Sequence, residues 1–258
     1  MEQEILIAIV ALFSSLLTFF SGFGLGTLLL PAFALFFNIE IAIGLTGVVH
    51  LLNNIFKTFL IGKKIQWRIG LLFGLPSIIG ALIGSLILIY MIEIFKNFNY
   101  QLFDLELKTS FLKIAIGILI FIFTLIELIP NKKPFKNNST NTIIGGLLSG
   151  FFGGISGHQG ALRTLFLVRY QLSKEAFIAT GIAIALAVDL TRLPVYFSNF
   201  KSNELINHLG LITIAVLAAF SGAILGKVVL NKIKINLLHK IISICLLIFS
   251  ILFSFGII

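Results

Sequence analysis

Five charged side chains, Lys57, Glu127, Arg163, Asp189 and Arg192, lie inside apolar stretches of this sequence. A charge at the centre of a bilayer costs at least ~2.5–3.5 kcal/mol, so each needs a partner or a wet cavity. Asp189 and Arg192 are three apart on one expected helix and Tyr196 follows one turn later, which makes a single polar stripe. The stripe reads either as a structural ion pair or as the wall of a binding site. His50, Asn53, Asn54 and Lys57 fall at i, i+3, i+4 and i+7 and make a second stripe. Interhelical hydrogen bonding is the bland reading of that stripe, and a site wall the sharper one.

The densest local signal runs from Ser156 through Gly157, His158, Gln159 and Gly160 to Arg163. Glycines there break the helix, and the next half-helix presents free N–H groups and the positive end of its dipole, which suits an anion. Arg163 adds a permanent charge in a fork shaped for an oxyanion. His158 and Gln159 supply hydrogen-bond donors, and an imidazole can carry a proton near neutral pH. The candidate substrate-binding set is therefore Ser156, Gly157, His158, Gln159, Gly160, Arg163, Asp189, Arg192, Asn53, Asn54 and Lys57, with His158 and Asp189 as the candidates for proton coupling. Glu127 reads as an interfacial structural residue or a proton relay. No Walker loop, HExxH, GxSxG or CxxC pattern occurs, and no two histidines stand at i, i+3 or i+4. Neither ATP hydrolysis, a metal nor another cofactor is expected.

The elements that must hold these groups are membrane helices. Of the 258 residues 58% are hydrophobic and only 11% charged, with a mean hydropathy of +1.10. A soluble surface cannot be made from that composition. Apolar runs long enough to cross ~30 Å of hydrocarbon cover 41–61, 67–91, 111–129, 175–198, 206–230 and 235–258. Two further apolar regions, 4–37 and 142–169, are interrupted at Ser21–Gly26 and at Gly153–Gly160, and both read as helix–break–helix hairpins. The net charge of +9 fits Lys and Arg gathered in cytoplasmic loops, not nucleic-acid binding. Cys245, the single cysteine, excludes an internal disulfide. The acidic start, Glu2 and Glu4, does not resemble a secretory leader.

The halves share an order of features. Ser21-Gly22 precedes Ser156-Gly157 by 135 positions, and Asn54 and Lys57 precede Asp189 and Arg192 by the same offset. Gly80 to Gly84 matches Gly222 to Gly226 at an offset of 142. If each hairpin returns to the side it entered, the cytoplasmic segments hold Lys63, Lys64, Arg68, Lys132, Lys133, Lys136, Arg169, Lys174, Lys227, Lys232, Lys234 and Lys240, 12 of the 19 basic residues. The outer segments then hold Lys96, Lys108, Lys113 and Lys201 with Glu2, Glu4, Glu40, Glu93, Asp104, Glu106 and Glu204. Crossing each broken region once would move 169–175 and 227–240 outside, against the positive-inside rule. The expected fold is an all-α polytopic membrane protein of two inverted repeats, each a broken-helix hairpin plus three transmembrane helices. Residues 1–129 form the first repeat, 130–141 a cytoplasmic linker and 142–258 the second repeat, with both termini outside. The Gly80/Gly84 and Gly222/Gly226 pairs permit a close helix contact, internal or in a homodimer.

The glycine-rich break before Pro31, the repeated break at Gly150 to Gly160 and the Gly-x-x-x-Gly helices resemble the TauE/SafE family of sulfite exporters, over essentially the whole chain. Gly157 through Arg163 (GHQGALR), followed by Ala179-Thr180-Gly181 and Val188 through Arg192 (VDLTR), looks like one branch of it. The family's commoner three consecutive glycines are replaced here by Gly22-Phe23-Gly24-Leu25-Gly26 and by Gly157-His158-Gln159-Gly160. The resemblance implies a permease of the bacterial or archaeal plasma membrane that moves sulfite, sulfonates or related small sulfur anions. The expected partners are a small anionic substrate and the lipid bilayer. The expected function is secondary, ATP-independent transport by alternating access. A passive anion channel, a membrane-embedded enzyme and a scaffold subunit are the alternatives.

Overall fold

The computed structural model describes residues 2–18, 24–95, 97–102, 105–128, 138–200, 207–229 and 236–258. Ser21, Gly22 and Phe23 of the first break, the linker lysines Lys132, Lys133 and Lys136, and Lys96, Asp104, Lys201, Glu204, Lys232 and Lys234 lie outside the described residues. Among the described residues ten α-helices follow one another: α1 Glu2–Leu17, α2 Leu25–Ala34, α3 Ile39–Ile61, α4 Trp67–Ile94, α5 Phe111–Leu128, α6 Ser139–Ser156, α7 Gly160–Leu167, α8 Lys174–Asn199, α9 Leu209–Val229 and α10 Asn236–Ser254. Five segments, Ile39–Lys64, Trp67–Ile94, Phe111–Leu128, Lys174–Asn199 and Leu209–Val229, are long and apolar enough to cross a membrane. The chain is thus an all-α polytopic membrane protein, with one β-hairpin among the described residues. Phe98–Leu102 (β1) and Leu105–Thr109 (β2) pair antiparallel between α4 and α5, Phe98 opposite Thr109. Reading this stretch as a plain outer segment overlooked the strands.

Local chemistry explains several boundaries. Asn138 caps α6 by accepting from the Asn141 amide at 2.8 Å, and Ser173 caps α8 by accepting from the Ala176 amide at 3.3 Å; each satisfies a first-turn N–H that has no helical partner. α6 stops at Gly157, whose φ of +80° is open to glycine and strained for other residues. α8 continues through Pro194 to Asn199.

Between α4 and α6 the backbones are in contact. A Cβ on Gly80 or Gly84 would run into the carbonyls of Leu147 and Phe151, and one on Gly146, Gly150 or Gly154 would run into those of Phe73, Ser77 and Ala81. Glycines four apart on each helix therefore face carbonyls four apart on the other, the close approach that small residues permit in membranes. α9 meets α1 in the same manner, Gly222 against the Leu12 carbonyl. These glycine faces are consequently used within the chain. α3 packs on α8 and α5 on α10. The largest buried apolar cluster joins α1, α2, α3 and α9 through Ile7, Leu29, Phe33, Val49 and Ala215.

Several contacts locate the loops. The Lys64 ammonium lies 3.5 Å from the Glu175 carboxylate, and the Gln66 amide donates to the Thr180 hydroxyl. Segments 62–66 and 173–180 thus share one end of the molecule. Thr142, early in α6, is bonded at 2.6 Å to Tyr170, just beyond α7, so the second broken region ends where it began. Tyr100 and Thr109 donate to the carbonyls of Phe255 and Ser254, which fastens the β-hairpin to the C-terminal end of α10.

Candidate functional site

α3 and α8 carry the two polar stripes and bring them face to face. Asp189 is fully buried. Its Oδ1 takes the Arg192 Nε–H at 3.0 Å and lies 2.9 Å from Arg192 Nη2. Its Oδ2 lies 2.5 Å from Nδ1 of His50, and the Asn54 amide donates to it at 3.5 Å. Asn54 and Asp189, 135 positions apart, thus meet directly. An ionised pair at such depth holds only with its remaining polar atoms engaged. Arg192 meets that condition in part: Nη1 donates to the Gly153 carbonyl at 3.3 Å, Nη2 beside Asp189 makes no hydrogen bond among the described residues, and Tyr196 donates to the Gly154 carbonyl. Gly47 and Gly157 make room for the guanidinium: a Cβ at Gly157 would sit 2.9 Å from Nη1, and one at Gly47 3.5 Å from Nη2.

Lys57, one turn past Asn54 and Asn53, is also buried. It donates to the Thr18 hydroxyl and to the Ser15 carbonyl at 3.2 Å, both on the stretch that ends α1. With the Asn53 amide turned to satisfy its neighbours, its oxygen accepts from Lys57 at 3.0 Å and its nitrogen donates to the Ala219 carbonyl at 3.2 Å. Asn53 therefore ties α3 to α1 and α9.

A cavity of about 40 Å³ lies beside these groups. Its polar wall is Thr18, His50, Asn54, Lys57, Arg163 and Thr164, and its floor includes Gly24 and Leu25, where α2 begins. Gly181 on α8 gives the Arg163 side chain its place, since a Cβ there would come within 3.1 Å of Nε. Arg163 Nη1 is buried and has no hydrogen-bond partner among the described residues. The cavity is large enough for water-sized occupants, and an anion would meet two cations, amide and hydroxyl donors, and the first turn of α2.

The structure brings Lys57, Asn54 and Arg163 to this cavity, and it sets Ser156, Gly157, His158, Gln159 and Gly160 behind it. His158 stacks on Phe123 at a 6.5 Å centroid distance, and its Nδ1 lies 3.1 Å from the Ser156 hydroxyl. His158 Nε2 and both amide atoms of Gln159 are buried without hydrogen-bond partners among the described residues. Glu127, at the end of α5, likewise buries both carboxylate oxygens without a hydrogen-bond partner among the described residues, within the electrostatic reach of Arg163. Thr18, Gly24, Leu25, His50, Thr164 and Gly181 line the cavity and were absent from the expected set. Gly181 belongs to a motif visible in the sequence and His50 to the first stripe. For the others no charge or spacing marks them. Among the described residues no group of three or more His, Cys, Asp and Glu side chains could hold a metal.

Comparison with known proteins adds the family. The profile of the family described as sulfite exporter TauE/SafE matches residues 7–253, nearly the whole chain. Neither the curated proteins nor the solved structures contain a match. With apolar spanning helices, a buried cationic cavity between them and a family match from end to end, the chain belongs to the TauE/SafE family of sulfite exporters and is a multi-pass membrane transporter.

Proposed function

We propose that the protein is a secondary, ATP-independent carrier of a small anion of the sulfite, sulfonate or related sulfur-oxyanion class, acting across the plasma membrane of a bacterium or archaeon by alternating access. One observation carries this reading: Lys57 and Arg163 face one buried cavity whose remaining polar lining includes the Thr18 and Thr164 hydroxyls and the Asn54 amide, while the nearby carboxylate of Asp189 is committed to His50 and Arg192. In that arrangement Arg192 is a structural partner, and the anion is held by Lys57, Arg163, Asn54, His50, Thr18, Thr164 and the first amides of α2. Ser156, Gly157 and Gly160 shape the turn that lets α7 carry Arg163.

The inverted repeat is supported by exchanged packing. α4 of the first half lies on α6 of the second, and α9 of the second lies on α1 of the first. Gly80 meets Leu147 and Gly222 meets Leu12, with the glycines 142 apart and the carbonyls 135 apart, the offsets of the sequence matches. The return of Tyr170 to Thr142 and the Lys64–Glu175 contact favour hairpins that re-enter on the cytoplasmic side. The boundaries 1–129 and 142–258 then delimit the repeats, with both termini outside.

The test is flux into proteoliposomes holding the purified protein, with sulfite, thiosulfate, sulfate, sulfoacetate and a short carboxylate. Saturable movement of a sulfur anion, lost in Arg163→Ala, is the expected result. Flux that never saturates would instead identify a channel, and no flux of any anion by folded, inserted protein would remove the carrier reading.

A further inference from the structure

The anion cavity contains a histidine whose two nitrogens are placed for different tasks. His50 Nδ1 is 2.5 Å from Asp189 Oδ2, while Asp189 Oδ1 is occupied by Arg192. A carboxylate oxygen at that distance accepts a hydrogen bond, which fixes the Nδ1–H tautomer and leaves the lone pair of a neutral ring on Nε2. Nε2 points toward the start of α2, where a Cβ on Gly24 would lie 4.0 Å away, and the ring is part of the cavity wall. The ring is thus anchored at one end in a fully buried ion pair, while at the other Nε2 lies 3.4 Å from the Asn54 amide nitrogen and borders the space that Lys57 and Arg163 face.

We propose that His50 carries the proton that couples anion movement to the proton gradient, with Asp189 as its positioning residue. This rests on the carrier reading above. Water on the entry side supplies a proton to the Nε2 lone pair. The Nδ1–H stays on Asp189, and the ring becomes an imidazolium. After reorientation the Nε2–H bond breaks toward water on the other side and the neutral ring is regenerated, so no further reactant is needed.

The groups that face His50 make the two loads interdependent. Lys57 from its own helix and Arg163 from α7 repel a charged ring, and an anion between them offsets that repulsion. A protonated Nε2 in turn gives the anion another N–H donor. Each load then favours the other by the same factor. Asp189 faces both Arg192 and the ring from α8 with a single negative charge. α2 brings Gly24 and Leu25 to the cavity, and the end of α1 brings the Thr18 hydroxyl. α9, on the far side of α3, has Lys227 in its last turn as its one titratable side chain. His158 sits instead behind the cavity against Phe123.

The experiment measures, for every panel anion that the wild-type protein moves, the ratio of initial uptake with an inwardly directed proton gradient, acidic outside, to uptake without one. The expected wild-type ratio is above about threefold for one pH unit, and the expected ratio for His50→Gln is near one whatever its absolute rate. Asp189→Asn should shift the pH profile of flux, because its amide no longer dictates the ring tautomer. A His50→Gln ratio equal to wild type would overturn the proposal and leave the carrier intact. Absence of any flux in the wild type would overturn both. Independently of any variant, addition of a transported anion to weakly buffered wild-type protein should draw about one proton from solution per anion bound, read with a pH dye. No proton uptake would overturn the assignment, so a poorly folded variant does not shield it.

Discussion

Replacing Asp189 by Asn should unfold the protein at a much lower temperature, and the size of the effect follows from what Asp189 touches. Its carboxylate has no exposure and holds Arg192, itself 1% exposed, with Nε at 3.0 Å and Nη2 at 2.9 Å. The amide keeps the shape and one acceptor but removes the countercharge from a guanidinium that cannot reach water. Breaking one side of a buried pair costs about 3–5 kcal/mol. For a chain of this size each kcal/mol moves the midpoint by about 2–4 °C, so a fall of roughly 6–20 °C is expected. The assay is loss of monodisperse protein on size exclusion after heating in detergent. A second variant isolates the cause. Asp189→Asn combined with Arg192→Gln removes both charges, and it should recover at least about half of the lost midpoint because no orphan cation remains. A fall below about 2 °C in the single variant, or no recovery in the double one, would refute the view that Arg192 is held chiefly as Asp189's partner.

Arg163→Ala should lower anion flux about 10- to 150-fold, the equivalent of losing one charge-assisted contact of about 1.5–3 kcal/mol, with little change in membrane abundance; equal loss of abundance would point to a folding role. Gly150→Leu should abolish accumulation of folded protein, since its Cβ runs into the Ser77 backbone, whereas Gly210→Ala, with open space around it, should accumulate normally in the same immunoblot. With Cys245 replaced, Lys64→Cys and Glu175→Cys should cross-link readily, while single cysteines at Lys64 and Lys108 should label from opposite faces. Labelling from the same face would dismantle the proposed topology.

Much of the scaffold was legible because membrane helices announce themselves by length and composition. The break at Gly157 was also legible, since a glycine in that left-handed position ends α6 as expected. The two polar stripes were visible from spacing, and the structure sets them face to face at Asn54 and Asp189. What failed to show was depth and direction. Nothing in the spacing of His158, Gln159 and Arg163 reveals that Arg163 reaches forward into the cavity while His158 turns back onto Phe123. The partner of Arg192 Nη1 is a backbone carbonyl, which carries no sequence signal. Gly24, Leu25 and Thr164 join the wall through tertiary packing alone. The strands at 98–109 went unread because five residues are too few for their alternation to stand out between two long apolar runs.

The contact of Gly222 with the Leu12 carbonyl has a meaning for biogenesis. α1 leaves the ribosome well before α9, so α1 waits while α2 through α8 are made without the helix it fits. Its Ser14 bonds the Val10 carbonyl on its own helix at 2.5 Å, which satisfies that hydroxyl during the wait. Ser15, whose partner is Asn53 on α3, gains its bond earlier than α1 gains its neighbour. Insertion and assembly are thereby separated in time, and a chain released before α9 would present an unclosed glycine-fitting groove to whatever quality control patrols the membrane.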